Sequence, residues 1–348
     1  MRKRALEEVD VKLETGHLTI NGHTISIPNI SFIEEIHPRG ANGLVFRCTD
    51  TVLRRLVAVK IWIPRRDDLR DRSRQALAEA SKIAQLNHKN IAQIYQCSQL
   101  PNSWIYSVME YINGVNLDVF IKTKHPDFFQ RFRLWKQIEE ALKYSHKLGV
   151  FHGDLHSGNV LVVDETIKVI DFGTSIFASK RTDSARRETR LLISLSRKMF
   201  STYDPSLSKI IDVDLYVLNP VRALDVLSAW VDILFKWEEI FAVPRSEDWL
   251  MTAMHELAFD IMQAPLFSVP HLLQQLGRKG VSINVQNHFI ASYLIWADVF
   301  LKEPVVKGPH ALPYWDFDIG LNPRANKARL KRVIPSLHEA FYEKGPFH

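Results

Sequence analysis

Three oxygen-bearing side chains lie close together in the stretch FHGDLHSGNVLVVDETIKVIDFGTS, which covers residues 151–175. Asn159 follows Asp154 by five residues, and Asp171 comes directly after a second apolar run. Carboxylate and amide oxygens are hard ligands of the kind that Mg²⁺ binds, and a carboxylate can also accept the proton of a hydroxyl group. The spacing therefore predicts that Asn159 and Asp171 hold magnesium beside a phosphate chain, while Asp154 orients an acceptor hydroxyl.

Two apolar runs separate these residues, VLVV at 160–163 and IKVI at 167–170. Short apolar runs joined by a polar turn are typical of a β-hairpin. A hairpin returns the chain to its starting point, so we expect Asp171 to lie beside Asp154.

The predicted secondary structure changes from mainly β-strands to helices near residue 112. Up to that point short β-type runs dominate, and the Asn21-Gly22 pair between two of them predicts a tight hairpin. One amphipathic helical stretch, residues 71–86, interrupts these runs. Beyond residue 113 apolar residues recur every three to four positions, most clearly over 127–149 and 223–241.

This layout predicts an α+β fold in which a β-rich N-terminal lobe precedes a helical lobe. The predicted domains are an N-terminal extension with a β-hairpin (1–30), an N-lobe (31–112), a C-lobe core (113–240) and a helical C-terminal part or extension (241–348). Ligands commonly bind where two such lobes meet, and the polar stretch follows the join.

Composition indicates an ordinary folded protein, since 46% of the 348 residues are hydrophobic and 24% are charged. Cys48 and Cys97 form neither a metal-ligand pair nor a disulfide framework, and the basic N-terminus has no apolar core of a secretory signal. We expect a cytoplasmic protein without a membrane anchor. The net charge of +6 does not select a specific nucleic acid, and the basic clusters at 65–74, 180–190 and 326–332 are interpreted as solvated surface.

The polar stretch resembles the protein-kinase superfamily. His152-Gly153-Asp154 with Asn159 is similar to the catalytic-loop motif H-R-D-x-x-x-x-N, and Asp171-Phe172-Gly173 matches D-F-G. The resemblance implies a bilobal kinase-like fold, ATP and Mg²⁺ as cofactors, and transfer of the ATP γ-phosphate to an alcohol group. It also places Ile83, Ile94, His152 and Phe172 in the regulatory stack of side chains that the family has.

The same resemblance extends upstream. VAVK at 57–60 looks like the strand motif whose lysine, here Lys60, holds the α- and β-phosphates, and Glu79 on the following helix would fix that lysine. PRGANGLV at 38–45 occupies the position of the glycine-rich loop, with Pro38 in place of its first glycine. The residues implied to contact the nucleotide are Gly40 and Gly43 at the phosphates, Val45, Ala58 and Leu161 around adenine, Met109 as gatekeeper, and Glu110 to Ile112 at the hinge.

The motif also departs from the family pattern. Gly153 replaces the arginine that in many kinases binds an activation-loop phosphate, so we expect Gly153→Arg to be tolerated. His156 stands where protein kinases usually carry a lysine that contacts the γ-phosphate. The sequence HGDLHSGN is similar to that of aminoglycoside phosphotransferases and bacterial protein-kinase-like proteins, and no A-P-E signature follows Asp171.

Three functions remain open. The first is an atypical serine/threonine protein kinase acting on an unidentified protein, and also on its own hydroxyls at Thr174, Ser175, Ser179, Thr182 and Ser184. The second is a small-molecule hydroxyl kinase, favoured by HGDLH and the missing A-P-E. The third is an ATP-binding pseudokinase scaffold. The motifs of the N-terminal half favour the first function. The third is opposed by the presence of five polar site residues, namely Lys60, Glu79, Asp154, Asn159 and Asp171.

Overall fold

The computed structural model describes residues 9–37, 39, 43–63, 83–172, 181–203, 220–263, 269–289 and 292. They fall into two compact units, the first containing the described residues up to Leu195 together with 220 and 221, and the second containing the rest. The predicted lobe boundaries at residues 112 and 240 stay predictions. Glu79, Gly40, Pro38 and most of the predicted helix over 71–86 lie outside the described residues, as do Gly173, Thr174, Ser175 and Ser179.

A three-stranded antiparallel sheet opens the described chain, formed by β1 (Val11–Glu14), β2 (His17–Ile20) and β3 (His23–Ile25). Asn21 and Gly22 make the turn between β2 and β3 with φ values of 49° and 77°. Positive φ at both central residues is what a type I′ hairpin turn needs, and Asn-Gly is the pair that adopts it most readily. The predicted N-terminal hairpin is therefore present.

A five-stranded antiparallel sheet follows, with the strand order β4-β5-β6-β8-β7. Its strands are β4 (Ile30–Glu35), β5 (Leu44–Asp50), β6 (Arg55–Trp62), β7 (Ile94–Gln99) and β8 (Ile105–Glu110). One face of the sheet shares a core with the N-terminal sheet, because Phe46, Val57 and Val59 join Leu18 and Ile20 in one buried cluster. The extension thus covers this face.

The opposite face of the five-stranded sheet carries the predicted nucleotide-binding residues. Side chains alternate between the faces of a strand, so Ala58 and Lys60 point away from the core residues Val57 and Val59. Val45 pairs with Lys60, and Ala58 pairs with Met109, which places all four on this second face. The sequence alternation of VAVK therefore separates the core of the sheet from the candidate site.

The described part of the first unit continues with a small sheet, two helices and the first part of a third. Its strands are β9 (Val115–Asn116), β10 (Val160–Val163) and β11 (Thr166–Val169), and its helices are α1 (Leu117–Lys124), α2 (Phe128–Lys147) and the first part of α3 (Arg181–Phe200). The N-terminus of α2 is closed by a capping box between Asp127 and Gln130. Trp135, Ile138 and Leu142 on its predicted apolar stripe are fully buried.

The second unit contains most of α4 (Pro220–Phe241), then α5 (Glu247–Gln263) and α6 (Val269–Arg278), together with the last residues of α3. The stripe predicted for α4 is buried, namely Leu224, Leu227, Val231, Leu234 and Trp237. Phe200 of α3 packs edge to face on Trp230, with ring centroids 5.8 Å apart. Among the described helices, none has the length and apolarity needed to cross a membrane.

Candidate active site

The loop between α2 and β10 carries Asp154 and Asn159, and a hydrogen bond connects the two residues. Asn159 donates a hydrogen bond from Nδ2 to the backbone oxygen of Asp154 at 2.9 Å, and both residues are more than 90% buried. This bond engages the nitrogen of the amide, and Oδ1 is the atom of the side chain that could bind a metal ion. The side chain of His156 accepts a hydrogen bond from Gly158 N–H and so caps the short 3₁₀ turn that carries Asn159.

The hairpin predicted between the two apolar runs is confirmed. β10 and β11 pair in antiparallel register, with Val160 opposite Val169. The amide of Ile170 then donates to the backbone oxygen of Asn159 at 2.9 Å, directly before Asp171. The hairpin therefore brings Asp171 back to the loop of Asp154 and Asn159.

His152 links this loop to the segment that carries Asp171. Its Nδ1 accepts a hydrogen bond from the amide of Asp154 at 3.2 Å, so Nε2 carries the proton and donates to the backbone oxygen of Ile170 at 2.8 Å. Its ring centroid lies 4.7 Å from that of Phe172, a contact that the resemblance implied. Complete burial lowers the pKa of His152, and the imidazole is therefore neutral at pH 7.

Lys60 reaches the same place from β6. Its ammonium nitrogen lies 2.7 Å from Oδ2 of Asp171, and only 4% of its side chain is exposed. Asp171 has a φ of 62°, in the left-handed region that a non-glycine residue adopts rarely and mostly where its surroundings hold it. An ammonium group and a carboxylate thus pair at the end of the hairpin. The proposed partner of Lys60, Glu79, lies outside the described residues.

Three of the predicted nucleotide-contacting residues, Val45, Ala58 and Met109, share one face of the five-stranded sheet, whereas Leu161 belongs to the small sheet. Ala58 and Met109 are buried, while Val45 is half-buried. Leu161 lies on β10, opposite Asn116 of β9. At the hinge, the amide of Glu110 donates to the backbone oxygen of Gln93 at 2.8 Å, and its carboxylate lies 2.9 Å from Lys168 Nζ. The amide of Glu110 is therefore already engaged within the protein, and the predicted hinge contact with adenine stays a prediction.

Gly43 follows the glycine-rich stretch at the start of β5, with a φ of 155°. A Cβ atom at this position would lie 2.6 Å from the backbone oxygen of Ile61, so only glycine lets the two strands approach this closely. Arg39 in the same stretch donates to both carboxylate oxygens of Glu35 and to the backbone oxygen of Val9. The N-terminal extension is thereby tied to the predicted phosphate loop, which the motif did not indicate.

Sequence reasoning missed two neighbouring residues of α3. The carboxylate of Glu188 is fully buried and lies 2.6 Å from Nε2 of His146, and its other oxygen accepts a hydrogen bond from the amide of Gly153 at 3.1 Å. Arg187 contacts Oδ1 of Asp154. Both lie in the basic cluster at 180–190 that we interpreted as solvated surface, and the alternation of charges there gave no signal that one residue faces inward.

The donors at the site fit magnesium bound together with phosphate. Within the described ranges, no group of three or more His, Cys, Asp or Glu side chains is arranged to hold a metal ion. Asn159 and Asp171 offer one amide and one carboxylate oxygen instead. Mg²⁺ commonly takes one or two such protein ligands and completes its shell with water and phosphate oxygens.

Comparison with known proteins gives one family. Residues 34–193 match the model of the protein kinase domain. A probable serine/threonine-protein kinase of Clostridium acetobutylicum is 34% identical over 152 residues, covering 43% of this chain and 23% of the relative. The serine/threonine-protein kinase PrkC of Bacillus subtilis is 32% identical over 151 residues, covering 41% and 22%. The chain thus spans less than a quarter of the length of these relatives. Among solved structures, the PknI kinase domain of Mycobacterium tuberculosis aligns with 62% of this chain and 98% of its own, at 16% identity and a TM-score of 0.48.

Proposed function

Residues 34–193 belong to the protein-kinase superfamily, and from this premise we propose that the chain transfers the γ-phosphoryl group of ATP to a hydroxyl group of a protein substrate. The observation that carries the proposal is the ion pair between Lys60 and Asp171, which the β10–β11 hairpin and His152 connect to the loop of Asp154 and Asn159. Apart from His152, these residues come from three separate parts of the sequence, and phosphoryl transfer requires all four of their functions.

Each residue has one task in this reaction. Lys60, with Glu79 as its proposed support, holds the α- and β-phosphates, and the amides near Gly40 and Gly43 cover the phosphate chain. Asn159 and Asp171 would hold Mg²⁺, which neutralises the negative charge of the phosphates when it is bound. Asp154 accepts the proton of the acceptor hydroxyl and keeps that oxygen in line with the leaving group.

Adenine binds on the second face of the five-stranded sheet in this proposal. Val45, Ala58 and Leu161 pack on the ring, Met109 closes the pocket as gatekeeper, and backbone groups of Glu110 to Ile112 meet the ring edge. The shared face of Ala58 and Met109, together with their burial, supports this assignment.

A protein acceptor is favoured over a small molecule because the curated relatives are serine/threonine-protein kinases and the similarity includes the N-terminal half of the site. A cytoplasmic location fits the two cysteines, Cys48 and Cys97, which are free thiols in the structure. Burial raises the pKa of the Cys48 thiol to about 12, so this cysteine is an inert core residue.

The test is transfer of labelled phosphate from [γ-³²P]ATP in the presence of MgCl₂, with Asp154→Ala as the inactive control. Purified protein is incubated alone, with a generic protein acceptor, with a cell lysate, and with hydroxylated small molecules including aminoglycosides. Label on protein that disappears in the variant supports the proposal. Label only on a small molecule would replace it with a small-molecule kinase, and magnesium-dependent ATP binding without any transfer would leave a pseudokinase.

A further inference from the structure

Arg187 is the cation that touches the carboxylate of Asp154. It lies on α3, and one of its guanidinium nitrogens contacts Oδ1 of Asp154. The arginine side chain is 53% exposed, while the aspartate side chain is only 12% exposed. The contact therefore joins a nearly buried carboxylate to a cation at the open side of the loop.

The backbone of α3 is held in place at this point by the next residue. Glu188 is fully buried, accepts a hydrogen bond from the amide of Gly153, and lies 2.6 Å from His146 Nε2 on α2. A buried carboxylate with two partners is costly to displace, because its removal from them would leave unpaired polar groups in the interior. Glu188 is thus anchored to the loop of Asp154. Because Arg187 is the neighbouring residue, its backbone is held beside the same loop.

The loop itself supplies no permanent cation near Asp154. His156 lies with Nε2 3.9 Å from Oδ2 of Asp154, at the position where the family usually has a lysine. An imidazole carries a positive charge only when it is protonated, whereas a guanidinium is charged throughout the pH range of proteins. The transferred phosphoryl group carries charge on three equatorial oxygens, and a cation placed there accelerates its transfer strongly.

We propose that Arg187 is a catalytic residue that contacts the transferred phosphoryl group and takes the place of the missing loop lysine. The proposal rests on the function given above. In the reaction, the acceptor oxygen forms a bond to the γ-phosphorus while the bond from that phosphorus to the β–γ bridging oxygen breaks. ADP leaves with the electron pair of that bond, and the acceptor proton moves to the Asp154 carboxylate.

Distance makes this contact feasible. In a reactive arrangement the acceptor oxygen is hydrogen-bonded to Asp154 and lies about 3–3.5 Å from the phosphorus. A cation that touches Asp154 is therefore close to the position that the equatorial oxygens would occupy. The guanidinium has five N–H donors in a planar fork, so one edge can hold Asp154 while another faces the phosphoryl group.

The experiment compares Arg187→Ala with Arg133→Ala. Arg133 on α2 is a matched control, because its side chain is 52% exposed and pairs with a carboxylate, Glu165, in the turn between β10 and β11. We expect Arg187→Ala to lower kcat by about 10²–10³-fold and to raise the KM for ATP by less than about tenfold. Arg133→Ala should change kcat by less than about twofold.

Two further readouts separate catalysis from a structural role. Guanidinium chloride at tens of millimolar should restore part of the activity of Arg187→Ala and none of the activity of Asp154→Ala. By calorimetry, the wild-type protein should prefer the magnesium complex of a non-hydrolysable ATP analogue to that of ADP, and Arg187→Ala should reduce that preference about fivefold. Arg133→Ala should leave the preference unchanged.

Several results would overturn the proposal. Higher activity in Arg187→Ala would mean that Arg187 restrains Asp154 instead of assisting it. A loss of activity without guanidinium rescue and with an unchanged nucleotide preference would mean that Arg187 has a structural role only. If the wild-type protein transfers no phosphate, the proposed function fails, and the nucleotide preference alone then decides whether Arg187 meets the γ-phosphate.

Discussion

The ammonium group of Lys60 and the carboxylate of Asp171 form an ion pair of 2.7 Å, although they lie 111 positions apart in the sequence. The lysine is almost completely buried on β6, and the aspartate is 22% exposed at the end of the β10–β11 hairpin. A buried charge without a partner is strongly unfavourable, so each residue stabilises the other. The pair also places the proposed phosphate-binding cation beside the proposed metal ligand.

The first prediction concerns this pair. Asp171→Asn leaves Lys60 buried without its counter-charge, and we expect the free energy of unfolding to fall by about 1–3 kcal/mol. The double variant Lys60→Met with Asp171→Asn removes both charges and should regain at least half of that loss. Urea unfolding of Asp171→Asn, Lys60→Met and the double variant measures the coupling energy between the two residues. Phosphate transfer should be absent in all three, and equal destabilisation in the double and single variants would contradict the pairing.

A second prediction follows from the neutral imidazole of His152. Burial lowers its pKa in the folded protein, against the opposing effect of Glu188, Asp171 and Asp154. The unfolded chain, whose histidine has a pKa of about 6.5, therefore binds more protons than the folded chain below that pH. Its contribution to stability is complete above about pH 6.5 and decreases as the pH falls, with a slope of up to about 1.4 kcal/mol per pH unit.

The measurement is urea unfolding between pH 7.5 and 5.0 for the wild-type protein and His152→Gln. Glutamine can donate and accept a hydrogen bond but does not titrate, so the variant should show a smaller loss of stability over this range. Burial lowers the pKa of the partly exposed His88 as well, and His152→Gln retains the contribution of His88 to the pH dependence of stability. Identical pH dependence in the two proteins would show that His152 does not control it.

The order of elements and the polar centre of the site could be predicted from the sequence because they depend on local patterns. The hairpin from Val160 to Val169 follows from two apolar runs, and the faces of β6 follow from the alternation in VAVK. Arg187 and Glu188 could not be found this way. Their partners, Asp154 and Gly153, lie more than 30 residues away in the sequence. The sequence pattern of a charged helix segment is also the same whether one of its carboxylates is buried or solvated.

The third prediction reverses an expectation from the sequence. From the sequence alone we expect Gly153→Arg to be tolerated, because arginine is the residue that the family motif has at this position. The structure argues against this, because Gly153 is buried with a φ of 75° and donates its amide proton to Glu188. A side chain at such a φ costs about 1–2 kcal/mol before any clash with its surroundings.

Gly153→Ala and Gly153→Arg are therefore expected to lower the thermal unfolding temperature, the arginine variant far more. Gly22→Ala is the matched control, because Gly22 has a φ of 77° and a Cβ there would meet nothing within 4 Å. The difference between Gly153→Ala and Gly22→Ala reports the packing of the loop apart from backbone strain. An arginine variant that folds with wild-type stability and activity would contradict this account of the loop.

The last prediction addresses the proposed phosphate loop. Gly43→Ala puts a methyl group 2.6 Å from the backbone oxygen of Ile61, which is closer than a Cβ atom can approach a backbone oxygen, so the start of β5 must shift. Because Val45 and Lys60 are paired across β5 and β6, a shift at Gly43 also moves the surface on which we place the nucleotide. We expect the affinity for Mg-ATP to fall by about 10–100-fold, since the loss of one hydrogen bond to a charged group costs about 1.5–3 kcal/mol and each 1.4 kcal/mol is tenfold in affinity. Gly277→Ala on α6, where a Cβ meets nothing within 4 Å, should leave this affinity unchanged. Calorimetric titration of both variants with Mg-ATP measures the effect, and equal affinities would place the phosphates elsewhere.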